Sequence, residues 1–474
     1  MEKETFDLKL KTHSTYATDY EVALLEEDMT PQKLSEGKTF QLLVYNDEQY
    51  KEYQIGFTTL PIVKIELEDP PGDENNPIGI EDAWAKFELY DNREGVAKKE
   101  RLVKSYTYVR LRGASSLRYP QKQMRLNLRD LSISGEESNQ HLSLLGMRED
   151  DDWILYAPYS DPEKIRDTFS TNLWYETSAQ NNSLDVDNGT EGKFVEVFIG
   201  DRYWGAYTLM FPIDEKQLDL DKDKGNSLES DFYYRIFSNV APQEETFKQS
   251  GNSLIAGSVE LRYPDEPLND YRQWEPLMQH LDAMAAGEEP LRDYMQTKAE
   301  LPNQIDYFLF YTLTQAHDND TKNRNYMAYW EEGQHLMLES PWDLDLTWGN
   351  RWTQEHALNV QVRGHAGENL VLRPSLITRA LELGMTDISE EVIQRYKELR
   401  ETVWSEEHLL HRLEQYEHDI YGSGAAARNH ARWPGAAYAE DASALKQYVE
   451  NRLVHMDRFI YETVQGGALH DRNR

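Results

Sequence analysis

Residues 110–129 read RLRGASSLRYPQKQMRLNLR, and the alternation in this stretch decides how the first half of the chain is built. Thr107, Val109 and Leu111 recur at a period of two, and Met124, Leu126 and Leu128 repeat it beyond the turn Gly113-Ala114-Ser115-Ser116. That period places apolar side chains on one face of a strand and polar ones on the other. Val195, Val197 and Ile199 continue the signal. Residues 62–214 therefore read as a twisted antiparallel sheet forming a β-rich lobe. One helix interrupts it, with Asp161 as N-cap, Pro162 in the first turn, and Ile165, Phe169 and Leu173 at helical spacing.

Working outward, residues 36–58 predict a hairpin about Asn46-Asp47, with Phe40, Leu42 and Val44 in one arm and Tyr53, Ile55 and Phe57 in the other. With residues 5–30 this reads as a small β-sandwich-like N-terminal module over residues 1–61. Residues 215–265 are rich in Asp, Lys, Gly and Ser and read as loop. Residues 266–315 and 375–465 carry helical periodicity, for example Leu409, Leu413 and Tyr416. Residues 215–474 thus read as a mainly helical lobe, broken at Gly422–Ala427 before a last helix near Ala442–Thr463. The fold class expected is α+β.

Composition narrows the function. The 474 residues carry 50 Lys and Arg against 85 Asp and Glu, a net charge of −35. Such a field repels nucleic-acid backbones, and it would repel a nucleotide too unless local cations and a divalent metal offset it. There is no cysteine, which removes thiolate metal sites and cysteine nucleophiles. No apolar run approaches the ~18 residues of a membrane span, and MEKETFDLKL at residues 1–10 lacks a signal-peptide stretch.

Three segments could carry chemistry. Residues 110–129 concentrate six cations, with Arg110 and Arg112 alternating to one face and Arg125 and Arg129 likewise. A polyphosphate could lie across their turn, contacting Arg112, Ser115, Ser116, Lys122 and Arg125; the rival reading is a solvated strand face paired with carboxylates. Residues 316–326, AHDNDTKNRNY, crowd acids and amides after an apolar helical run. Phosphoryl transfer needs a carboxylate to take the hydroxyl proton and an amide or acid to hold magnesium, roles open to Asp318 and Asn325. Asp320 competes as the base, being five residues before Asn325 as in conventional kinase loops. A turn rich in Asx residues is the alternative. Residues 340–350, SPWDLDLTWGN, follow a strand and put Asp343 and Asp345 on one face, where they suit a hard cation, a structural calcium, or a simple turn.

Together these segments resemble the CotH (spore-coat protein H) family of atypical protein kinases over roughly residues 60–460. The resemblance rests on Arg112, Gly113, Ser115, Ser116, Tyr119, Pro120 and Lys122, on Leu144-Leu145-Gly146 with Asp151-Asp152-Trp153, on Asp161 through Arg166, and on Ile199 through Tyr207. Its most specific part is the loop ending Asn325-Tyr326 paired with Pro341-Trp342-Asp343-Leu344-Asp345. The chain departs from the pattern at Leu209-Met210-Phe211-Pro212, where a glutamate is expected, and at Asp167, where Asn is expected. The resemblance implies a two-lobed kinase-like fold, ATP and Mg²⁺ as cofactors, and Ser-rich spore-coat or surface proteins as substrates. It makes Asp318 the catalytic aspartate, Asn325 the loop amide, Asp343 a metal ligand with Asp345 beside it, and Lys122 the nucleotide lysine. The expected location is the spore coat or bacterial cell surface. A non-catalytic kinase-like scaffold for coat or surface assembly is the competing class, and a glycan-binding surface module a third.

Overall fold

A computed structural model describes residues 20–25, 30, 32–33, 36–132, 135–221, 227–236, 255–256, 259–265, 268, 270–319, 324–351, 372 and 374–467. The chain divides into two compact units. The first comprises Met1–Tyr159, Lys193–Met210 and Glu414–Asp441; the second comprises Ser160–Gly192, Phe211–Leu413 and Ala442–Arg474.

In the first unit, β1 (Glu21–Leu24), β2 (Phe40–Tyr45) and β3 (Tyr50–Ile55) form a three-stranded antiparallel sheet. The hairpin of β2 and β3 pairs Phe40 with Ile55 and Tyr45 with Tyr50, about the turn at Asn46. The larger sheet contains β4 (Ile62–Leu67), β5 (Ala83–Tyr90), β6 (Leu102–Arg112), β7 (Gln123–Leu131), β8 (Glu137–Asn139), β11 (Asp152–Tyr156), β12 (Gly192–Ile199) and β13 (Arg202–Met210), with the two short strands β9 (Leu142–Ser143) and β10 (Glu149–Asp150) pairing apart from it. Its order is β11-β13-β12-β4-β5-β6-β7-β8, and β11 pairs with β7 as well.

That extra pairing closes seven strands into a barrel, where the sequence predicts only a twisted antiparallel sheet. The mixed α+β class holds, but the β-rich part is a barrel and not specifically the two-lobed kinase arrangement. The closing strand β11 is buried at all five positions and so shows no alternation to read. The pairing of β12 with β4 is parallel, with Glu196 opposite Ile62. Val63, Ile65, Ala85, Phe87, Val109, Met124, Leu126 and Leu128 are fully buried, each larger one contributing about 1.5–3 kcal/mol through apolar burial.

Helix α8 (Ala425–Arg432) packs on β13. Asn429 Oδ1 accepts hydrogen bonds from Ala206 N at 3.0 Å and Gln121 Nε2 at 3.0 Å. Arg428 forks onto Glu196 at 2.9 and 2.8 Å. Gly205, at φ +133°, makes the approach possible: a Cβ there would lie 2.6 Å from Asn429 Oδ1 and 2.9 Å from Gln121 Nε2. Gly205→Ala is therefore expected to destabilise the first unit by about 3 kcal/mol through overpacking and backbone strain. Urea denaturation checks this; an unchanged midpoint contradicts the packing account.

The second unit is built on a five-stranded sheet in the order β15-β16-β14-β17-β18: β15 (Ile255–Ala256), β16 (Val259–Tyr263), β14 (Phe232–Ile236), β17 (Arg324–Glu331) and β18 (Gln334–Pro341). Three of these strands lie in the 215–265 stretch read as loop. The reason is burial on both faces: Phe232, Tyr234 and Ile236 join one core cluster while Tyr233 joins another, which erases the period of two. Around the sheet lie α1 (Arg166–Thr177), α2 (Glu275–Ala283), α3 (Glu288–Thr297), α4 (Leu301–Thr314), α5 (Leu376–Glu382), α6 (Thr386–Glu401) and α9 (Ser443–Arg458); α7 (Glu406–Glu417) precedes α8.

Helix α1 begins at Arg166, later than Asp161 and Pro162 suggest. Asp161 instead organises the approach, its Oδ1 accepting from Glu163 N at 3.3 Å and its Oδ2 from Arg166 N at 2.7 Å. Lys164, at φ +65°, interrupts the helical geometry in between. Helix α4 is buried from Asn303 to Thr314. Asn303 clips it to β18, donating to Glu339 O at 3.0 Å and accepting from Glu339 N at 2.8 Å. Trp174 of α1 meets Tyr307 and Phe310 of α4 edge-on, with ring centroids 6.1 and 5.3 Å apart.

Candidate functional site

Because α4 and β18 are clipped together, the loops that follow them meet. Helix α4 ends on Gln315 in the left-handed region, at φ +50°. His317 N then donates to Leu346 O at 2.7 Å, Trp348 N donates to Thr314 O at 2.7 Å, and Asn319 Nδ2 donates to Trp342 O at 2.7 Å. Asp318 is thereby fixed beside the loop that carries Asp343 and Asp345. Asp343 and Trp348 also adopt positive φ, 62° and 50°. Non-glycine residues held in that region, at roughly 1–3 kcal/mol each, cluster at functional loops.

The N-terminal part of α1 and the segment before it hold the other side of this loop. Ser160 Oγ donates to Asp345 Oδ2 at 2.7 Å, and Leu344 N donates to Asp167 Oδ1 at 2.9 Å. Ser170 Oγ lies 2.9 Å from Thr347 Oγ1 and accepts from Trp348 Nε1 at 2.9 Å. Phe169 packs against the Trp348 ring at 5.4 Å.

Four aspartates therefore converge. Burial pushes the Asp345 carboxyl well above the usual carboxylate range, the charge of Asp343 adds to the rise, and Asp167 and Asp318 push the same way, against the hydrogen bond from Ser160. Carboxylates that raise one another's proton affinity form a suitable donor set for a hard divalent cation, whose charge relieves the repulsion. The residues present fit magnesium: oxygen donors only, on two loops whose backbones are tied to each other. The neutral isostere Asp345→Asn is expected to raise the melting temperature in chelator and to weaken magnesium binding roughly 10- to 100-fold. Thermal melts with and without magnesium check both signs; a lower metal-free melting temperature contradicts the repulsion.

The other expected site residues are placed differently. Asn325 is the second residue of β17, buried, its Oδ1 accepting from the Tyr233 hydroxyl at 3.0 Å. Its interactions run into the sheet. Asp320 lies outside the described residues. In the first unit, Lys122 Nζ donates to Tyr119 O at 2.6 Å, and burial lowers its pKa. Arg112 Nη1 donates to Gln123 Oε1 at 2.5 Å. Ser115 and Ser116 open a short 3₁₀ turn at Ser115–Arg118. Arg125 sits directly across from Arg110 in the strand pair, but each has a carboxylate: Arg125 Nη2 lies 2.9 Å from Asp152 and Arg110 Nε lies 3.3 Å from Asp82. For those two arginines the carboxylate-paired strand face is what is found.

Ser160 and Ser170 escape the sequence reading, and Asp167 enters it only as a departure from the family pattern. The signal for Asp167 and Ser170 is a helix whose polar side is buried as well as its apolar one: Arg166, Asp167, Thr168, Ser170, Thr171 and Asn172 are all buried beside Phe169 and Leu173. A second grouping, His141 with Asp150 and Asp151, brings ligand atoms within 4.8 Å of one another in the first unit. Asp150 already accepts from two backbone amides and Arg148, and Asp151 from Asn127 and Asn139. We assign no ion there.

Among the described residues no helix is long and apolar enough to cross a membrane. No curated protein matches the chain. The family described as CotH kinase protein matches residues 109–456. That span covers both loops of the aspartate cluster, the segment 160–170 that holds them and more than half of the 474 residues: the chain belongs to the CotH kinase family.

Proposed function

We propose that the chain is an ATP- and magnesium-dependent protein kinase that phosphorylates Ser or Thr side chains of Ser-rich spore-coat or cell-surface proteins, and itself. The observation that carries this is the convergence of Asp318, Asp343 and Asp345 on two mutually bonded loops, with Asp167 of helix α1 acting on the same group. Family membership supports the kinase class.

In this reading Asp343 and Asp345 hold the metal, with Asp345 oriented by Ser160 and the loop backbone fixed by Asp167. Magnesium, when bound, neutralises phosphate charge and draws electron density from the bond that breaks. Asp318 accepts the proton of the acceptor hydroxyl as its oxygen bonds to the γ-phosphorus; the bond from that phosphorus to the bridging oxygen breaks, and ADP leaves. Lys122, with Arg112, Ser115 and Ser116 of the same connection, is the candidate cation for phosphate in the first unit. Arg125 is engaged by Asp152 and takes no part. Asn325 supports the β17 end from within the sheet.

Incubation with ATP and magnesium, followed by mass-spectrometric mapping of phosphate on the chain and on Ser-rich acceptors, tests the proposal. Magnesium-dependent phosphoserine or phosphothreonine is expected. No transfer to any acceptor, together with no ATP-induced stabilisation, contradicts it.

A further inference from the structure

Around β13 of the first unit, Arg202 pairs with Glu74 and Arg428 pairs with Glu196. Arg432, the last residue of α8, is held differently. Its Nε donates to Tyr203 O at 3.2 Å, and its guanidinium carbon lies 3.9 Å from the ring centre of Trp433 and 4.6 Å from that of Trp204. The two indoles meet edge to face, with centroids 5.4 Å apart, and Trp433 Nε1 fixes their corner by donating to Trp204 O at 2.7 Å. Among the described residues no carboxylate pairs with Arg432.

A guanidinium seated on aromatic faces keeps its charge and its orientation, and here it gives only Nε to the protein. Nη1 and Nη2 form the flat edge that pairs bidentately with an oxyanion. A second cation stands beside it. Arg202 and Trp204 alternate to one face of β13, and Tyr203 between them carries the carbonyl that Arg432 bonds. Burial lowers the Arg432 pKa and the charge of Arg202 lowers it further, the mark of two cations held close. Glu74, the partner of Arg202, is largely exposed, and such a pair contributes little in water. The neighbouring Asp201 is engaged by Lys64 at 3.1 Å. Positive charge therefore gathers at this end of β13 in a chain of net charge −35.

We propose that Arg432, with Arg202, is a docking site for a phosphomonoester: a phosphoserine or phosphothreonine side chain of the acceptor protein. This rests on the kinase reading, which makes such groups the product. Two guanidiniums match a dianion, and a chain this acidic otherwise repels its own phosphorylated acceptor. One phosphorylated side chain held here would keep a Ser-rich acceptor bound while its other hydroxyls are presented. The indole corner fixes the guanidinium before the ligand arrives, so little side-chain freedom is lost on binding. Trp204 also lines a small cleft with Lys122, the candidate nucleotide cation, which makes ATP the competing ligand.

The probe is a fluorescein-labelled Ser-rich peptide with one phosphoserine, compared with its unphosphorylated twin by anisotropy on the full chain at low ionic strength. The phosphorylated form should bind about tenfold more tightly, and Arg432→Gln should remove that preference. Arg432→Lys should restore part of it, since a lysine supplies the charge without the bidentate edge. Lys99→Gln, at an exposed lysine elsewhere in the first unit, should leave the preference unchanged. Equal affinity of the unaltered chain for the two peptides overturns the proposal. So does a preference that survives in Arg432→Gln, whatever its melting temperature, because Arg432 is then a packing cation of the indole corner. Weaker ATP binding in Arg432→Gln with the peptide preference intact gives the site to the nucleotide and also overturns it. If instead the chain transfers no phosphate and ATP gives no stabilisation, while the preference still depends on Arg432, the kinase reading falls and the phosphomonoester site stands.

Discussion

Asp343→Ala is expected to abolish the magnesium-dependent stabilisation by ATP and to lower autophosphorylation by on the order of 10³-fold, the scale on which a charge-stabilising group at a phosphoryl centre acts. Asp343 sits at φ +62° in the loop that Asp167 and Ser160 hold from one side and Thr314, His317 and Asn319 from the other. The loop has more anchors than this one side chain, so the variant should fold. Removing a carboxylate from a mutually repelling set should even raise its metal-free melting temperature slightly. Calorimetry with magnesium and ATP decides the matter: unchanged affinity in a folded variant removes Asp343 from the metal site.

The second large effect is expected for Asp318→Asn, which should keep magnesium and ATP affinity within about threefold while losing roughly 10²–10⁴-fold in turnover. An amide has the shape of the carboxylate but cannot take the acceptor's proton. The position of Asp318 is set by backbone bonds on both sides, from His317 N to Leu346 O and through Asn319 to Trp342 O, so the substitution leaves the loop in place. Asp320→Asn is the control. Loss of turnover in Asp320→Asn alone would transfer the base role to it, and near-normal turnover in Asp318→Asn would end the assignment.

Some of this is legible along the chain and some is not, for identifiable reasons. The strands β6 and β7 show a clear period of two because one face is buried and the other wet, as Val109 and Arg110 illustrate. Strands β11 and β14 are buried on both faces, and there alternation carries no information. Asp318, Asp343 and Asp345 stand out because acids follow directly on an apolar helix and an apolar strand. Ser160 and Asp167 reach the same site from about 180 residues away in sequence, through contacts only the folded chain creates. The cations of residues 110–129 are conspicuous by composition, yet Arg110 and Arg125 turn out to face Asp82 and Asp152, which no local spacing reveals.

The way the first unit is assembled bears on how the protein is made. Its barrel strands are complete once residue 210 has left the ribosome, but α8, which fills the Gly205 groove, comes only after residues 211–413. At 5–20 residues per second that interval lasts ~10–40 s. Throughout it Glu196, 2% exposed in the finished unit, lacks Arg428, and Gln121 lacks Asn429. A nascent chain in this state holds all seven barrel strands with a carboxylate awaiting its guanidinium, an invitation to chaperone capture. The same logic forbids dissection: a fragment ending before residue 414 would leave that carboxylate without its cation for good, so the barrel should be produced only within the whole chain.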